Sequence, residues 1–385
     1  MAAKNARRAY VVVLDGCKPG ELDSGLMPTV KGLRDAGRWY PRAASLPVME
    51  TIPNHTMMMT GVRPDRSGVP ANSAYIRAEK VVRDLDQPTD MRFPTVLERL
   101  KAKGVVTGSV LSKEYLHGIF GGKASHEWTP FPVIPISGHA PDLSTMQAAL
   151  DMITAHDPQL LFINLGDIDR IGHMDLTGST ARVLRTTALA TADQQVKRLI
   201  DTLKSNGTWA TSMVIVLADH SMDWSIPTRA ISLTGAIDAD PSLTGNVQIA
   251  QNGGADLIYW TGPAAGRSAA VGKILAIVRK TEGVLAAYDV ARTPSLRVGP
   301  VAGDVLAYCK SGWRFSDPNA VSNPIPGNHG HPATAPIPFF ISGGHPAVRA
   351  GVLPHQAHTI DVAPTVGAFL GLNAPSGGYD GVNRL

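Results

Sequence analysis

Tyr10-Val11-Val12-Val13-Leu14-Asp15 decides how this chain is read: an unbroken apolar run, rich in β-branched residues, closed by a carboxylate. Such a run fits a strand covered on both faces, as in a parallel sheet between layers of helices. A helical pattern follows from Met27 to Ala36, and the alternation then repeats. Further strands are expected at Val105 to Leu111, Leu160 to Leu165 and Val214 to Ala218, and helices at Thr95 to Lys103, Ser144 to His156 and Ala181 to Leu203. The rhythm predicts an α/β fold, an αβα sandwich on a mostly parallel central sheet.

Beyond His220 the pattern changes. Gly-rich turns such as Gln251-Asn252-Gly253-Gly254 and a short helix near Ala269 to Lys280 suggest a small inserted cap subdomain at 225–303, between core segments 9–224 and 304–385. Core-like patterns return at Phe339 to Ser342 and in a helix near Asp361 to Leu370, while the Pro/Gly-rich stretch from Asn323 to Pro338 reads as an ordered surface loop.

Composition narrows the function classes. The chain has 385 residues, 44% hydrophobic and 18% charged, so it can bury a sizeable core and lacks the signature of disorder. Its net charge is only +4, and its longest basic cluster, Lys4 to Arg8, lies at the N-terminus, so no nucleic-acid-specific binding is expected. Cys17 and Cys309 stand far apart and offer neither a disulfide framework nor a CxxC metal site. No apolar run is long enough for a membrane span, and no membrane association is expected. The first strand leaves no room for a signal peptide before it, so the chain is expected in the cytoplasm as given, or in a secreted or periplasmic compartment if a leader has been removed.

Three apolar runs end in acids: Leu14-Asp15, Leu165-Gly166-Asp167-Ile168-Asp169 and Leu217-Ala218-Asp219-His220. In open parallel sheets ligands bind beyond the carboxyl ends of the strands, so these carboxylates can converge there. One Asp at a strand end usually just begins a turn or caps a helix. Here, however, Asp169 comes with His173, Asp219 with His220, and Asp15 and His329 add to them, a set of oxygen and imidazole donors sufficient for two divalent metals. In Met49-Glu50-Thr51-Ile52-Pro53-Asn54-His55-Thr56 a hydroxyl stands at an expected helix N-terminus, where free backbone N–H groups favour a phosphate. Thr51 is therefore a candidate nucleophile; its plainer role would be an N-cap.

The ordered series Asp15, Thr51-Ile52-Pro53-Asn54-His55, Asp169-Arg170-Ile171-Gly172-His173, Asp219-His220-Ser221-Met222 and Gly327-Asn328-His329-Gly330 resembles the alkaline phosphatase superfamily, in its type I phosphodiesterase/nucleotide pyrophosphatase branch. The resemblance spans nearly the whole chain, to Asp361-Val362-Ala363-Pro364-Thr365. It implies an alkaline-phosphatase-like core and two Zn2+ per chain, with Mn2+ or another divalent metal as the alternative. Asp15, Thr51, Asp219 and His220 would hold one ion, and Asp169, His173 and His329 the other. By the same resemblance Thr51 attacks phosphorus and becomes a phospho-threonine, and Asn72, in Val69-Pro70-Ala71-Asn72, donates a hydrogen bond to a nonbridging oxygen. Family spacing leaves His55 and His331 outside the ligand set.

The resemblance carries the reaction further than the substrate. Nucleotide pyrophosphatases stack the base between an aromatic residue after the nucleophile and a tyrosine five residues before the Asp-x-x-Gly-His aspartate; this chain has Ile52 and Asn164 there. Phosphonoacetate hydrolase, a second similar protein, adds a Lys-x-Lys pair that binds a substrate carboxylate. In Leu111-Ser112-Lys113-Glu114-Tyr115, Lys113 matches the first lysine and Tyr115 replaces the second. Lys113 is thus a candidate substrate-binding residue, against the plainer reading of a solvated lysine between strand and helix. Arg170, Ile171, Tyr115, Trp128, Trp224 and Trp313 are candidates for shaping the leaving-group pocket.

The expected function is a two-zinc phosphodiesterase acting on a small phosphate- or phosphonate-containing substrate. The alternatives are a C–P hydrolase, a phosphomonoesterase, or a noncatalytic protein that binds a phosphate ligand. A phosphotransfer mutase of the same superfamily would carry serine in place of Thr51.

Overall fold

Two main sheets organise the computed structural model, which describes residues 6–133, 138–174 and 180–385. The basic cluster from Lys4 to Arg8 thus begins outside the described residues. Numbered along the chain, the strands of these sheets are β1 Arg8–Leu14, β2 Arg38–Trp39, β3 Thr107–Leu111, β4 His126–Trp128, β5 Leu160–Leu165, β6 Ser212–Leu217, β7 Val247–Asn252, β8 Ala255–Trp260, β9 Val284–Asp289, β10 Val305–Cys309, β11 Phe339–Ser342 and β12 Gly351–Val352.

The larger sheet runs β12-β2-β11-β6-β1-β5-β3-β4. Only β11 is antiparallel to its neighbours; the other pairs are parallel. This is an α/β fold on a mostly parallel sheet, as the sequence predicts. Every residue of β1, β5 and β6 is buried, which is why these strands read as apolar runs rather than alternating ones. Even Arg8 is buried, its guanidinium held by both carboxylate oxygens of Asp157 at 2.7 Å.

Two groups of helices pack within themselves and against the sheet. One comprises Pro28–Asp35, Asp142–His156, Asp167–His173 and Thr180–Ser205; the other comprises Thr51–Thr60, Val96–Lys101 and Val362–Leu370. Val96–Lys101 starts with a capping box, Thr95 accepting from the Glu98 N–H while the Glu98 carboxylate accepts from the Thr95 N–H. Thr51–Thr60 is buried at all ten positions, so nothing about it is amphipathic, and it reads in sequence only through its motif.

The second sheet is antiparallel, ordered β7-β8-β10-β9, with its own core against the helix Arg267–Lys280. Its membership corrects the boundary expected at 303. β10 lies between β8 and β9, and Arg314–Phe315 pairs with Ala230–Ile231, so the chain stays with this sheet past 309. Strand pairing is a non-local property that a composition shift does not register. The stretch from Asn323 to Pro338 also departs from expectation: Gly327 to His331 are buried, and Gly327–Asn328 pairs with Asp223–Trp224. Both cysteines are free and buried, in separate clusters. No helix among the described residues is long and apolar enough to cross a membrane.

Candidate active site

Strand register brings the acidic ends together. Leu14 pairs with Leu165 on one side of β1, and Val13 pairs with Leu217 on the other, so Asp15, Gly166 and Asp219 leave the sheet side by side. The chain turns at Gly16, whose φ of +70° suits glycine and whose missing Cβ would lie 3.0 Å from the Cβ of Asp169. Asp15 and Asp169 are thereby held close. Asp219 is fixed through Oδ1, which accepts the N–H groups of Gly16 (3.2 Å) and His220 (3.0 Å).

The seven residues expected as metal ligands converge. Asp15, Asp219 and His220 place ligand atoms within 4.8 Å of one another, as do Asp169, His220 and His329. His173 joins the second group, its Nε2 3.3 Å from Asp169 Oδ1 and 3.1 Å from His329 Nε2. Thr51 Oγ1 is 3.1 Å from His220 Nε2. The donors suit divalent cations in orientation as well as position. His173 Nδ1 is 2.9 Å from the Gly327 carbonyl and His220 Nδ1 is 3.0 Å from that of Ser221, so each ring bonds through Nδ1 and turns Nε2 inward. Asp15 Oδ1, Asp169 Oδ1 and Asp219 Oδ2 are buried without any hydrogen-bond partner, a costly arrangement that bound cations would relieve.

Thr51 is the first residue of the helix Thr51–Thr60, and Glu50 occupies the cap position in extended conformation. The sequence-level N-cap role for Thr51 is therefore not the one it has. Its neighbouring N–H is engaged as well: Asn72 Oδ1 accepts from Ile52 N at 2.8 Å, and Asn72 N donates to Glu50 Oε2 at 2.8 Å. The helix thus does not offer the Ile52 N–H to a phosphate; it uses it to orient Asn72, whose Nδ2 remains for a ligand. Burial pushes the Glu50 carboxyl well above its usual range.

Lys113 differs most from its plainer reading. It is 4% exposed, with Nζ 2.7 Å from Asp169 Oδ2, 2.9 Å from Asp15 Oδ2 and 3.5 Å from Thr51 Oγ1. Burial works against its charge, but Asp15 and Asp169 hold the ammonium well above the usual lysine range. Burial likewise opposes ionisation of Asp169, and Lys113 and His173 overcome it, keeping that carboxylate well below its usual range. For Asp15 burial and Asp219 prevail, lifting its carboxyl to about 6.

The two positions that in nucleotide pyrophosphatases would stack a base serve the scaffold here. Ile52 is in the core, and Asn164, fully buried, donates to Asp15 Oδ2 (2.8 Å) and accepts from Ser112 Oγ (2.6 Å). His55 and His331 also support the site from behind. His55 Nδ1 is 2.9 Å from the Thr51 carbonyl and its Nε2 is 3.1 Å from Asn164 Nδ2; His331 Nε2 is 3.0 Å from Asp223.

A cavity of about 320 Å³ opens over this cluster. Its walls include Asn72, Lys113, Tyr115, Asp169, Arg170, His173 and His329, and also Glu50, His139, Gln251, Asn252 and Gly253, which sequence reasoning did not single out as site residues. The signal for Glu50 was a carboxylate next to the nucleophile in an apolar segment; the other four carry no local signal. The tip of the β7–β8 hairpin reaches the cavity because Gly254 N donates to the His329 carbonyl at 2.8 Å, and a Cβ on Gly254 would lie 2.2 Å from that oxygen. Trp128, Trp224 and Trp313 do not line the cavity. Trp224 instead lies against Lys18 and Arg185, and Trp313 against Arg229. His139 is structural, with Nε2 2.8 Å from Asp167 Oδ1 and Nδ1 buried.

Known proteins can be set beside this geometry. The profile of the family described as type I phosphodiesterase / nucleotide pyrophosphatase matches residues 9–331. No curated protein matches the sequence significantly. Among solved structures, the chain is similar to an inactive form of murine ectonucleotide pyrophosphatase/phosphodiesterase 5 in complex with AMP, at 17% identity and a TM-score of 0.79, covering 96% of each chain. The human form of that protein gives the same identity and TM-score over 97% of each chain. Phosphonoacetate hydrolase from Sinorhizobium meliloti 1021, in complex with phosphonoformate, is 18% identical with a TM-score of 0.70 over 95% of each chain. At these identities the structures speak for the fold, and the profile, over more than four-fifths of the chain, speaks for descent: this chain belongs to the type I phosphodiesterase/nucleotide pyrophosphatase family of phosphoester hydrolases.

Proposed function

We propose that the chain hydrolyses a small phosphodiester, with Thr51 as nucleophile. The observation that carries this reading is the position of the Thr51 hydroxyl, 3.1 Å from His220 and 3.5 Å from the Lys113 ammonium, beside buried carboxylate oxygens that lack partners. Two divalent ions, zinc by family resemblance, would be held by Asp15, Thr51, Asp219 and His220 and by Asp169, His173 and His329, where they supply Lewis-acid charge to the attacking and leaving oxygens.

The chain's own groups account for the rest. Lys113 favours the threonine alkoxide over the hydroxyl, because its positive charge lies beside Oγ1. The Thr51 proton passes to solvent, the resulting Oγ1 alkoxide attacks phosphorus, the P–O bond to the leaving group breaks opposite it, and the departing oxygen takes the electron pair. Asn72 Nδ2 donates to a nonbridging oxygen, oriented beforehand by Ile52 and Glu50. Water then attacks phosphorus of the phospho-threonine, which regenerates the Thr51 hydroxyl and releases the phosphate product.

Diester preference is supported by charge. Lys113 is already engaged by two carboxylates, and Asn72 is a neutral donor, an arrangement better matched to the single charge of a diester than to a monoester dianion. The same engagement leaves Lys113 poorly placed to clamp a substrate carboxylate, which weighs against the C–P hydrolase alternative. The test is the ratio of turnover on a bis-aryl phosphodiester to turnover on the matching aryl monoester, with zinc present and Thr51→Ala as blank. A ratio well above one supports the proposal; a ratio well below one replaces it with a monoesterase.

A further inference from the structure

Arg170 stands apart from every other basic side chain of the cavity. Lys113 is paired with Asp15 and Asp169, His139 with Asp167, and His173 and His329 belong to the ligand cluster. Arg170 lines the same cavity, yet its guanidinium makes no hydrogen bond or ion pair among the described residues. It is half-buried, on the helix Asp167–His173, one residue after Asp169 and three before His173. In the proposed function these two neighbours hold the ion other than the one beside Thr51, which sets Arg170 next to the group that would face the leaving oxygen.

An uncommitted guanidinium beside a phosphoryl-transfer centre is a preformed fork for a planar or tetrahedral anion. The two positions that stack a nucleobase in nucleotide pyrophosphatases do not face this cavity. Ile52 and Asn164 are buried in the scaffold, and Tyr115 is the lone Phe, Tyr or Trp among the described lining residues. The rest of the cavity is walled by Gln251, Asn252 and Gly253 of the second sheet with Tyr115, Asn323 and Ile325, and Arg170 is its cation without a partner among the described residues. We propose that Arg170 selects substrates whose leaving group carries a second anionic group, a carboxylate or a phosphate. This rests on the phosphodiesterase reading above.

The test uses three chromogenic diesters with zinc present: methyl 4-nitrophenyl phosphate, and its 3-carboxy and 3-phosphonomethyl derivatives on the nitrophenyl ring. Wild type should prefer at least one anionic diester in kcat/KM, and Arg170→Met should lower that substrate by about tenfold more than the neutral one, as expected for a charge-assisted pair. Arg170→Lys should recover part of the preference, and which derivative gains more identifies the anion. Equal losses on all three diesters, or no preference in wild type, would overturn the assignment. So would a loss greatest on the monoester 4-nitrophenyl phosphate, assayed alongside the three diesters, which would make Arg170 a clamp on the phosphoryl group. Calorimetric binding of the same diesters to Thr51→Ala, with and without Arg170→Met, separates the two readings. A binding preference that depends on Arg170 without turnover rejects the reaction and keeps Arg170, whereas turnover with equal binding rejects Arg170.

Discussion

The Thr51 hydroxyl and the Nε2 of His220 lie 3.1 Å apart, although the two residues come from a buried helix and the end of a central strand. The contact places the proposed nucleophile inside the ligand cluster. Thr51→Ala should fold and retain metal through the remaining ligands, yet lose at least ~10³-fold in turnover, the order expected for a covalent nucleophile. Retention of more than a tenth of wild-type turnover would remove Thr51 from that role.

Asp169 and His329 should fail in the same way. Each alanine variant is expected to lose metal from the site they share with His173, since Asp169 Oδ1 is 3.9 Å from His329 Nε2 and 3.3 Å from His173 Nε2. Elemental analysis after dialysis checks this. If both variants keep the wild-type metal content, the proposed division of ligands is wrong.

Lys113→Met tests how the cluster is balanced without metal. It leaves Asp15 and Asp169 without their shared cation, and breaking a buried ion pair from one side costs about 3 kcal/mol. Urea unfolding should show a loss of that order in chelator and a smaller one in zinc, because bound ions restore the missing charge. The same loss in both conditions would mean that Lys113 does not stand in for a metal.

Asn72→Ala should lower kcat about 10²-fold or more with little change in metal content, the range seen when one oxyanion donor is removed. Since Asn72 also accepts the Ile52 N–H, Asn72→Asp separates the two functions: it keeps the acceptor and removes the donor. Full activity in Asn72→Asp would exclude donation by Nδ2.

His55 gives a pH signature. Burial depresses its pKa to about 4, against the pull of Asp15. An unfolded histidine titrates near 6.5, so below that pH the unfolded chain binds a proton that the folded chain refuses. The contribution of neutral His55 is therefore full above about pH 6.5 and is lost as pH falls toward 4. Asp15, raised to about 6, acts in the opposite sense below that pH, so the informative quantity is a difference. In chelator, the slope of unfolding free energy against pH between 4.5 and 6 should be smaller in His55→Gln than in wild type by about one proton, or about 1.4 kcal/mol per pH unit. Equal slopes would show that His55 is charged in the fold.

The parts of this site that were legible in sequence are those whose physics is local. β1, β5 and β6 announce themselves because strands buried on both faces must be continuously apolar, and Asp15, Asp169 and Asp219 stand out because a carboxylate interrupts that run at its end. Thr51 was legible by motif, but its helix was not legible by periodicity, since a helix buried on all sides has no polar stripe. Lys113 looked like a solvated lysine because the carboxylates that hold it come from positions 15 and 169, far away in sequence. Gln251, Asn252 and Gly253 read as a plain turn, and nothing in a turn says where its tip will rest. The boundary at 303 failed for a related reason: β10 belongs to a sheet whose other strands lie earlier in the chain, and composition does not record hydrogen bonding between them.

The bond from Gly254 N to the His329 carbonyl ties a ligand's backbone to the tip of a hairpin in the other sheet. A Cβ at 254 would lie 2.2 Å from that carbonyl oxygen, so the close approach depends on glycine. Displacing the hairpin would shift His329 with it, so retention of the ion proposed there would gauge whether the second sheet is seated. A lesion on the far side of that sheet would then be read first as a loss of the proposed metal, and added metal would mask it.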